Sequence, residues 1–217
     1  MYTPIKDYAI IGNQRSAILI SKHASIDWAP APFIDSPSVF SAILDEKIGG
    51  SWSIRPIDSY TVRQQYIPHT NVLVTTFTTE KGVGEVTDFI PIENERTFVP
   101  EEEDTTFRIH RKIACIKGNF SFTVFFQPRL DYARDATTLS IVPQGVHVRD
   151  SEGNVRGALE AQGDFELQEE EIAGEDSRAQ KLVAAKMEKI LKEDEEVFLI
   201  FRYNAREIVP HEAGSAH

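Results

Sequence analysis

The stretch that decides the fold runs from Phe107 to Leu130: FRIHRKIACIKGNFSFTVFFQPRL. In its first half Phe107, Ile109, Arg111, Ile113 and Cys115 alternate with Arg108, His110, Lys112, Ala114 and Ile116. Successive strand side chains point to opposite faces, so this half presents one mostly apolar face and one mostly charged face. In the second half Phe120, Phe122, Val124 and Phe126 share a face. Aromatic residues at period two mark a strand lying on a core rather than a platform for a sugar. The two runs flank Gly118-Asn119. Cys115 sits inside the alternation and reads as a small buried hydrophobe.

Outward from this stretch the pattern repeats in shorter form. NVLVTTFTTE and GEVTDFIPI bracket Lys81-Gly82-Val83-Gly84, a hairpin with a glycine-containing reversal. SWSIRPI and SYTVRQQY precede it as two further strands. LDYARDATTLSIVPQGVHVRD, NVRGALEAQG and DFELQEEE follow as short strands with glycine turns, and VFLIFRYNA closes as a buried strand. The segment 178–192, RAQKLVAAKMEKILK, carries two readings. Val183, Met187, Ile190 and Leu191 fall on one helical face, while strand pairing can override that propensity in a chain of strands. ENERTFVPEEED, residues 93–104, reads as an exposed acidic loop. Pro210–His217 is small and polar, a tail expected to fray. There is no repeat and no Gly/Ser linker, so residues 1–209 are expected to form one domain. About a dozen short strands with close turns predict an all-β, large antiparallel β-sandwich with at most one helix of appreciable length.

Composition narrows the function. The chain has 217 residues, 41% hydrophobic and 26% charged, ordinary for a globular protein. A net charge of −11 argues against nucleic acid and against an anionic membrane. A neutral substrate such as a carbohydrate is compatible with it. One cysteine allows no internal disulfide and no zinc spacing. MYTPIKDYAI is not a signal peptide, and no apolar run approaches the roughly 18 residues of a membrane span, so the expected compartment is the cytoplasm. No phosphate loop, HExxH, CxxC or nucleophile elbow occurs. The histidines are scattered, although His110 and His147 lie on strands that the fold could bring together. None of the 34 acidic residues stands out as half of a glycosidase pair. No catalytic residue, metal ligand or cofactor is therefore nominated.

The densest run of turn residues is Asp7–Trp52, which also holds both tryptophans. Its apolar runs, 8–11, 17–20, 26–29 and 39–44, read as short strands between tight turns. DYAIIGN, SIDW, IDSPSVFSAILD and GGSW, followed by QQYIPHTNVLVTTF, EVTDFIPI, FRIHRKIACIKG and QPRLDYAR, resemble the N-terminal domain of prokaryotic glycoside hydrolase family 15. That family includes glucoamylases, glucodextranases and some trehalases. The resemblance covers about Tyr2 to Arg134 in order, and extends weakly to FLIFRY. It implies a β-supersandwich that precedes a larger (α/α)6 barrel carrying both catalytic glutamates. Those glutamates have no positions here to map onto, so the chain is expected to be one domain of a longer protein or a separately encoded half. Two departures are visible. Ala24 stands where the family has Gly before SIDW, which implies an altered or strained turn. Phe33-Ile34 replace the family's Arg-Phe pair before DSP.

Three functions follow from these readings. The first is a non-catalytic domain that docks on the helical barrel and shapes one edge of its cleft through Asp27, Trp28, Asp35, Ser36 and Pro37. The second is a stand-alone module that binds an α-glucoside. The third, by fold analogy alone, is an aldose-epimerase-like enzyme. A docking domain without its partner exposes an apolar patch, so self-association of the isolated chain is expected.

Overall fold

The computed structural model describes residues 3–92, 107–173 and 179–204. The expected acidic loop at 93–104 and the expected tail at 210–217 lie outside them. Strands β1 to β7 are Tyr8–Gly12, Ala17–Ser21, Ser25–Trp28, Trp52–Pro56, Tyr60–Tyr66, Leu73–Thr79 and Gly82–Phe89. Strand β8 is Phe107–Phe126, and β9 to β14 are Thr138–Val142, Gly145–Arg149, Val155–Ala161, Glu166–Ala173, Ala179–Lys192 and Glu196–Tyr203. The longest helical piece among the described residues is the four-residue turn Leu130–Ala133, so the expectation of an all-β fold holds. None of these helical pieces is long and apolar enough to cross a membrane.

The two runs that flank Gly118 are one continuous strand, β8. Val83 pairs with Lys117 and Gly84 with Cys115, which leaves Ile116 as the extra residue of a bulge. Gly118 follows with φ +71. The bulge shifts the apolar face by one residue, from Phe107, Ile109 and Ile113 to Phe120, Phe122 and Phe126, all buried. One strand thereby serves two layers. Its first half pairs with β7 and β14, giving the order β5-β6-β7-β8-β14-β11-β10-β9. Its second half pairs with β4 and β13, giving β1-β2-β3-β4-β8-β13-β12. All pairings are antiparallel. The layers face each other across Trp52 of β4 and Phe201 of β14, whose rings lie 6.4 Å apart, and across Phe126 and Phe201 at 5.5 Å. Cys115 is buried among these side chains, as its place in the alternation predicts.

Two local expectations resolve or change. Residues 179–192 are strand, not helix. β13 is held on one edge by β8 and on the other by β12, and those ladders override helical propensity. Val183, Ala185, Met187 and Leu191 are buried at period two, while Ile190, on the supposed helical face, is exposed. Residues 39–44 are not a strand. Ser41 donates its N–H to the Gly49 carbonyl, and the N–H groups of Leu44 and Asp45 return to the Ser41 carbonyl. The chain therefore coils after Val39 and Phe40 have plugged the core.

Among the described residues the core holds one completely buried charge pair. Arg111 and Asp88 are opposite residues on β8 and β7, and both side chains are completely buried. Arg111 Nε donates to Asp88 Oδ1 at 2.8 Å and Nη2 to Oδ2 at 3.3 Å. The same guanidinium crosses to the other layer. Nη1 donates to the Trp52 carbonyl at 2.6 Å and Nη2 to the Ala24 carbonyl at 2.7 Å. Its carbon lies 5.0 Å from the centre of the Trp52 ring. Ala24 adopts φ +55, so the turn that the family builds with glycine is kept here by an alanine at a cost of about 1–2 kcal/mol.

Arg111→Met alone strands the Asp88 carboxylate in the core and should lower the unfolding free energy by about 3–5 kcal/mol. Combining it with Asp88→Leu should recover most of that loss. Equilibrium urea unfolding followed by tryptophan fluorescence measures both.

Candidate functional site

The pleat of β3 divides the residues that the sequence grouped together. Asp27 and Trp28 are neighbours on a strand, so their side chains leave on opposite faces. Trp28 joins a cluster of loops at one end of the sandwich. Its ring lies 5.7 Å from that of Tyr132. The Tyr132 hydroxyl donates to the Ser36 carbonyl at 3.4 Å, and its N–H to the Ser38 carbonyl at 3.1 Å. Ser36 in turn accepts the Phe33 N–H on its hydroxyl. Asp35 and Pro37 are exposed on the same loop. Trp28, Asp35, Ser36 and Pro37 thus share one surface, and Asp27 does not belong to it.

That surface is built with strain. Asp131, Tyr132 and Ala133 have φ of 51°, 58° and 64°, a single left-handed turn made without glycine. L-residues adopt this conformation at a cost, and it persists only where surrounding contacts hold it. Here the Arg134 guanidinium does so, lying 5.3 Å from the Tyr132 ring centre while pairing with Asp131. Phe33 and Ile34, which replace the family's Arg-Phe pair, are 40% and 60% exposed beside it. Tyr132 escaped the sequence reading although QPRLDYAR was noted. Its partnership with Trp28 bridges about a hundred residues of chain and leaves no periodic trace.

Asp27 faces the outer side of the second layer and lines a cavity of about 440 Å³. It is 8% exposed and accepts hydrogen bonds from the Tyr8 hydroxyl at 2.8 Å and the Ser25 hydroxyl at 2.6 Å. Burial raises its carboxyl above the ordinary range, opposed by these two donors. Burial, then the Asp27 contact, also pushes the Tyr8 phenol upward. His23 lies in the same wall with its Nδ1 3.1 Å from the Tyr60 hydroxyl, and burial lowers its pKa. Glu46 contributes a second carboxylate. Ser25 was discoverable from sequence, being two residues from Asp27 on one strand face. Tyr8, Ser53 and Thr123 depend on the register of other strands and were not.

His110 and His147 do not meet. β14 and β11 separate their strands, and neither lines this cavity or the smaller one near Glu160 and Phe198. His110 stacks on Phe89 at 4.9 Å. Burial lowers the pKa of His147, with Arg149 adding to the effect.

The family model for trehalase-like N-terminal domains matches residues 1–214. The trehalase of Thermoplasma volcanium is 36% identical over 138 residues, 62% of this chain and 21% of that protein. The trehalase of Mycobacterium tuberculosis is 30% identical over 147 residues, 63% of this chain and 22% of that protein. Trehalase 1 of Sulfolobus acidocaldarius is 42% identical over 89 residues, 41% of this chain and 15% of that protein. The alignments therefore span about a fifth of the length of these curated relatives, or less.

The raised carboxyl of Asp27 has a measurable consequence. The folded chain holds this proton to higher pH than the unfolded chain, so folding binds a proton between the two pKa values. Stability then falls as pH rises through that interval, and the full penalty is present above it. Relative to Asp27→Asn, the wild-type chain should gain stability as pH is lowered from neutral toward about 4. Paired urea titrations across this range read the difference, and histidine contributions cancel between the two proteins.

Proposed function

Because the chain belongs to the family of trehalase-like N-terminal domains, we propose that it is the non-catalytic β-sandwich of a glycoside hydrolase acting on α-linked glucosides, with trehalose the first substrate to test. It docks against an (α/α)6 catalytic domain, in cis or in trans, of the kind found in glycoside hydrolase family 15. The observation that carries the docking role is the strained turn at Tyr132. A left-handed turn of three non-glycine residues places an aromatic side chain on Trp28, next to exposed Phe33, Ile34 and Pro37. A monomer has no need to keep such a turn and display apolar side chains beside it, whereas an interface uses rigid aromatic anchors. The cytoplasmic setting expected from the sequence belongs to the same proposal.

A second reading has a specific ground. Asp27, a carboxyl with a raised pKa, shares its cavity with Glu46, and acid–base hydrolysis of glycosides uses two carboxyl groups in unlike environments. The two readings separate in one assay. The purified chain should release no glucose from trehalose or maltose. Glucose release by the chain alone, abolished by Asp27→Asn, would overturn the non-catalytic reading.

Docking is tested on both sides of the interface. The isolated chain should self-associate in sedimentation velocity at high concentration, and Phe33→Asp with Ile34→Asp should shift it to monomer. In the polypeptide that carries the helical domain, Trp28→Ala and Tyr132→Ala should each weaken domain association by about 2 kcal/mol or more, with a matching loss of trehalose hydrolysis. Unchanged hydrolysis in both variants removes this surface from the interface.

A further inference from the structure

We propose that the cavity on the outer face of β2, β3, β4 and β8 is a binding site for a neutral polyhydroxylated ligand, a mono- or disaccharide, held by Asp27, Ser53 and Thr123 against the ring of Phe125. The choice of sugars as probes rests on the hydrolase reading, but the ligand class comes from the lining.

The outer face of a sandwich layer is ordinarily a solvated surface. This one is polar and yet enclosed. Ser25, Asp27 and Ser53 are 4%, 8% and 7% exposed, although they point away from the core. The coil at Ala42 to Glu46, and Thr3 ahead of β1, wall the face in. Register places the groups side by side. Ser25 pairs with Ser53, Ser53 with Phe125, and Arg55 with Thr123, so a row of hydroxyls runs into an aromatic ring across three strands. The volume of about 440 Å³ lies within the roughly 300–1,000 Å³ of small-molecule sites.

Two features indicate that the space is made for a ligand. The Ser53 hydroxyl lines the cavity, where a ligand hydroxyl can pair with it. Asp27 is the second. Two of its acceptor sites are filled by Tyr8 and Ser25, and a carboxylate has about four, so the remainder are available to hydroxyl donors.

The lining also selects the ligand's charge. The lining carries two carboxyl groups, Asp27 and Glu46, against one guanidinium, Arg55, which leaves no positive excess to hold an anion. Among the described residues no three His, Cys, Asp or Glu side chains converge to hold a metal ion. A purely apolar ligand would leave the serine, threonine and aspartate groups unpaired at a cost of about 1–3 kcal/mol each. A neutral molecule rich in hydroxyls, with one apolar face to lay on Phe125, meets every condition.

The test uses the 217-residue chain and isothermal titration calorimetry with glucose, maltose and trehalose, and with sodium phosphate as the anionic control. At least one sugar should bind in the millimolar range, and phosphate should not. Ser53→Ala removes the hydroxyl without adding bulk, and Asp27→Asn removes the charge. Each should weaken binding about tenfold or more, since hydrogen bonds to charged or buried groups carry that much. Ile141→Ala, on β9 of the other layer, should leave affinity unchanged. Urea midpoints verify that each variant is folded, and Ser53→Ala alone decides the matter if Asp27→Asn is not. The proposal is overturned if no sugar binds, if phosphate binds instead, or if folded Ser53→Ala binds sugar as tightly as wild type. It is also overturned if hydroxyl-radical footprinting shows Tyr8 and Phe125 covered by the helical domain. The sugar-binding results leave the docking role untouched, since that role is scored by domain association and by trehalose hydrolysis.

Discussion

The interaction on which the rest of this sandwich depends is the bridge made by Arg111. A guanidinium with no exposure is costly to bury, and it is tolerated only when its donors are filled. Here four of its five N–H groups are filled, from two layers at once. Asp88 holds it within one sheet, while the carbonyls of Trp52 and Ala24 receive it from the other. The geometry leaves little freedom. β7 and β8 can pair only in the register that sets Asp88 beside Arg111, and β4 must lie where its carbonyl meets Nη1. An apolar contact would tolerate a slide of one residue pair, but four directed hydrogen bonds do not. The bridge therefore specifies which arrangement of the layers forms, more than it adds to the stability of that arrangement. It also explains why the Ala24 turn survives without glycine, because its carbonyl must face the guanidinium.

Much of this was legible in the chain. The alternation of β8 changes phase between Cys115 and Phe120, which is what a bulge does to a strand. Read as two runs, it hides the bulge and with it the device by which one strand enters two sheets. Arg111 stood in plain view as the charged member of an apolar row. Its partner Asp88 stood in step with Gly84 and Val86, at core-facing positions of the neighbouring strand. A charge on each of two facing apolar rows is a signal that they meet. The strand at 179–192 and the coil at 39–44 were not legible, because each is decided by hydrogen bonds to distant segments.

The candidate site shows the same limit more sharply. Asp27 and Trp28 are adjacent in sequence and were read as one contact loop, yet the pleat assigns them to separate surfaces. One surface is a cluster of strained loops with exposed apolar side chains, suited to another protein. The other is an enclosed polar hollow, suited to a small molecule. Strand β3, four residues long, feeds both. A residue's neighbours in the chain say little about which surface it serves. Its parity along the strand says more.

The doubled role of β8 has a consequence for how the chain reaches its native state. The partners of β8 come from residues 52–56 and 82–89 on one side and 179–203 on the other. Chains that rely on such distant pairings fold slowly, because each contact must first close a long loop. During synthesis β8 emerges well before β13 and β14. Until they arrive, one edge along its whole length is unpaired and rich in phenylalanine. The nascent chain must then survive an interval with a long adhesive edge open to other chains. For this protein the vulnerable moment is set by the order in which strands leave the ribosome.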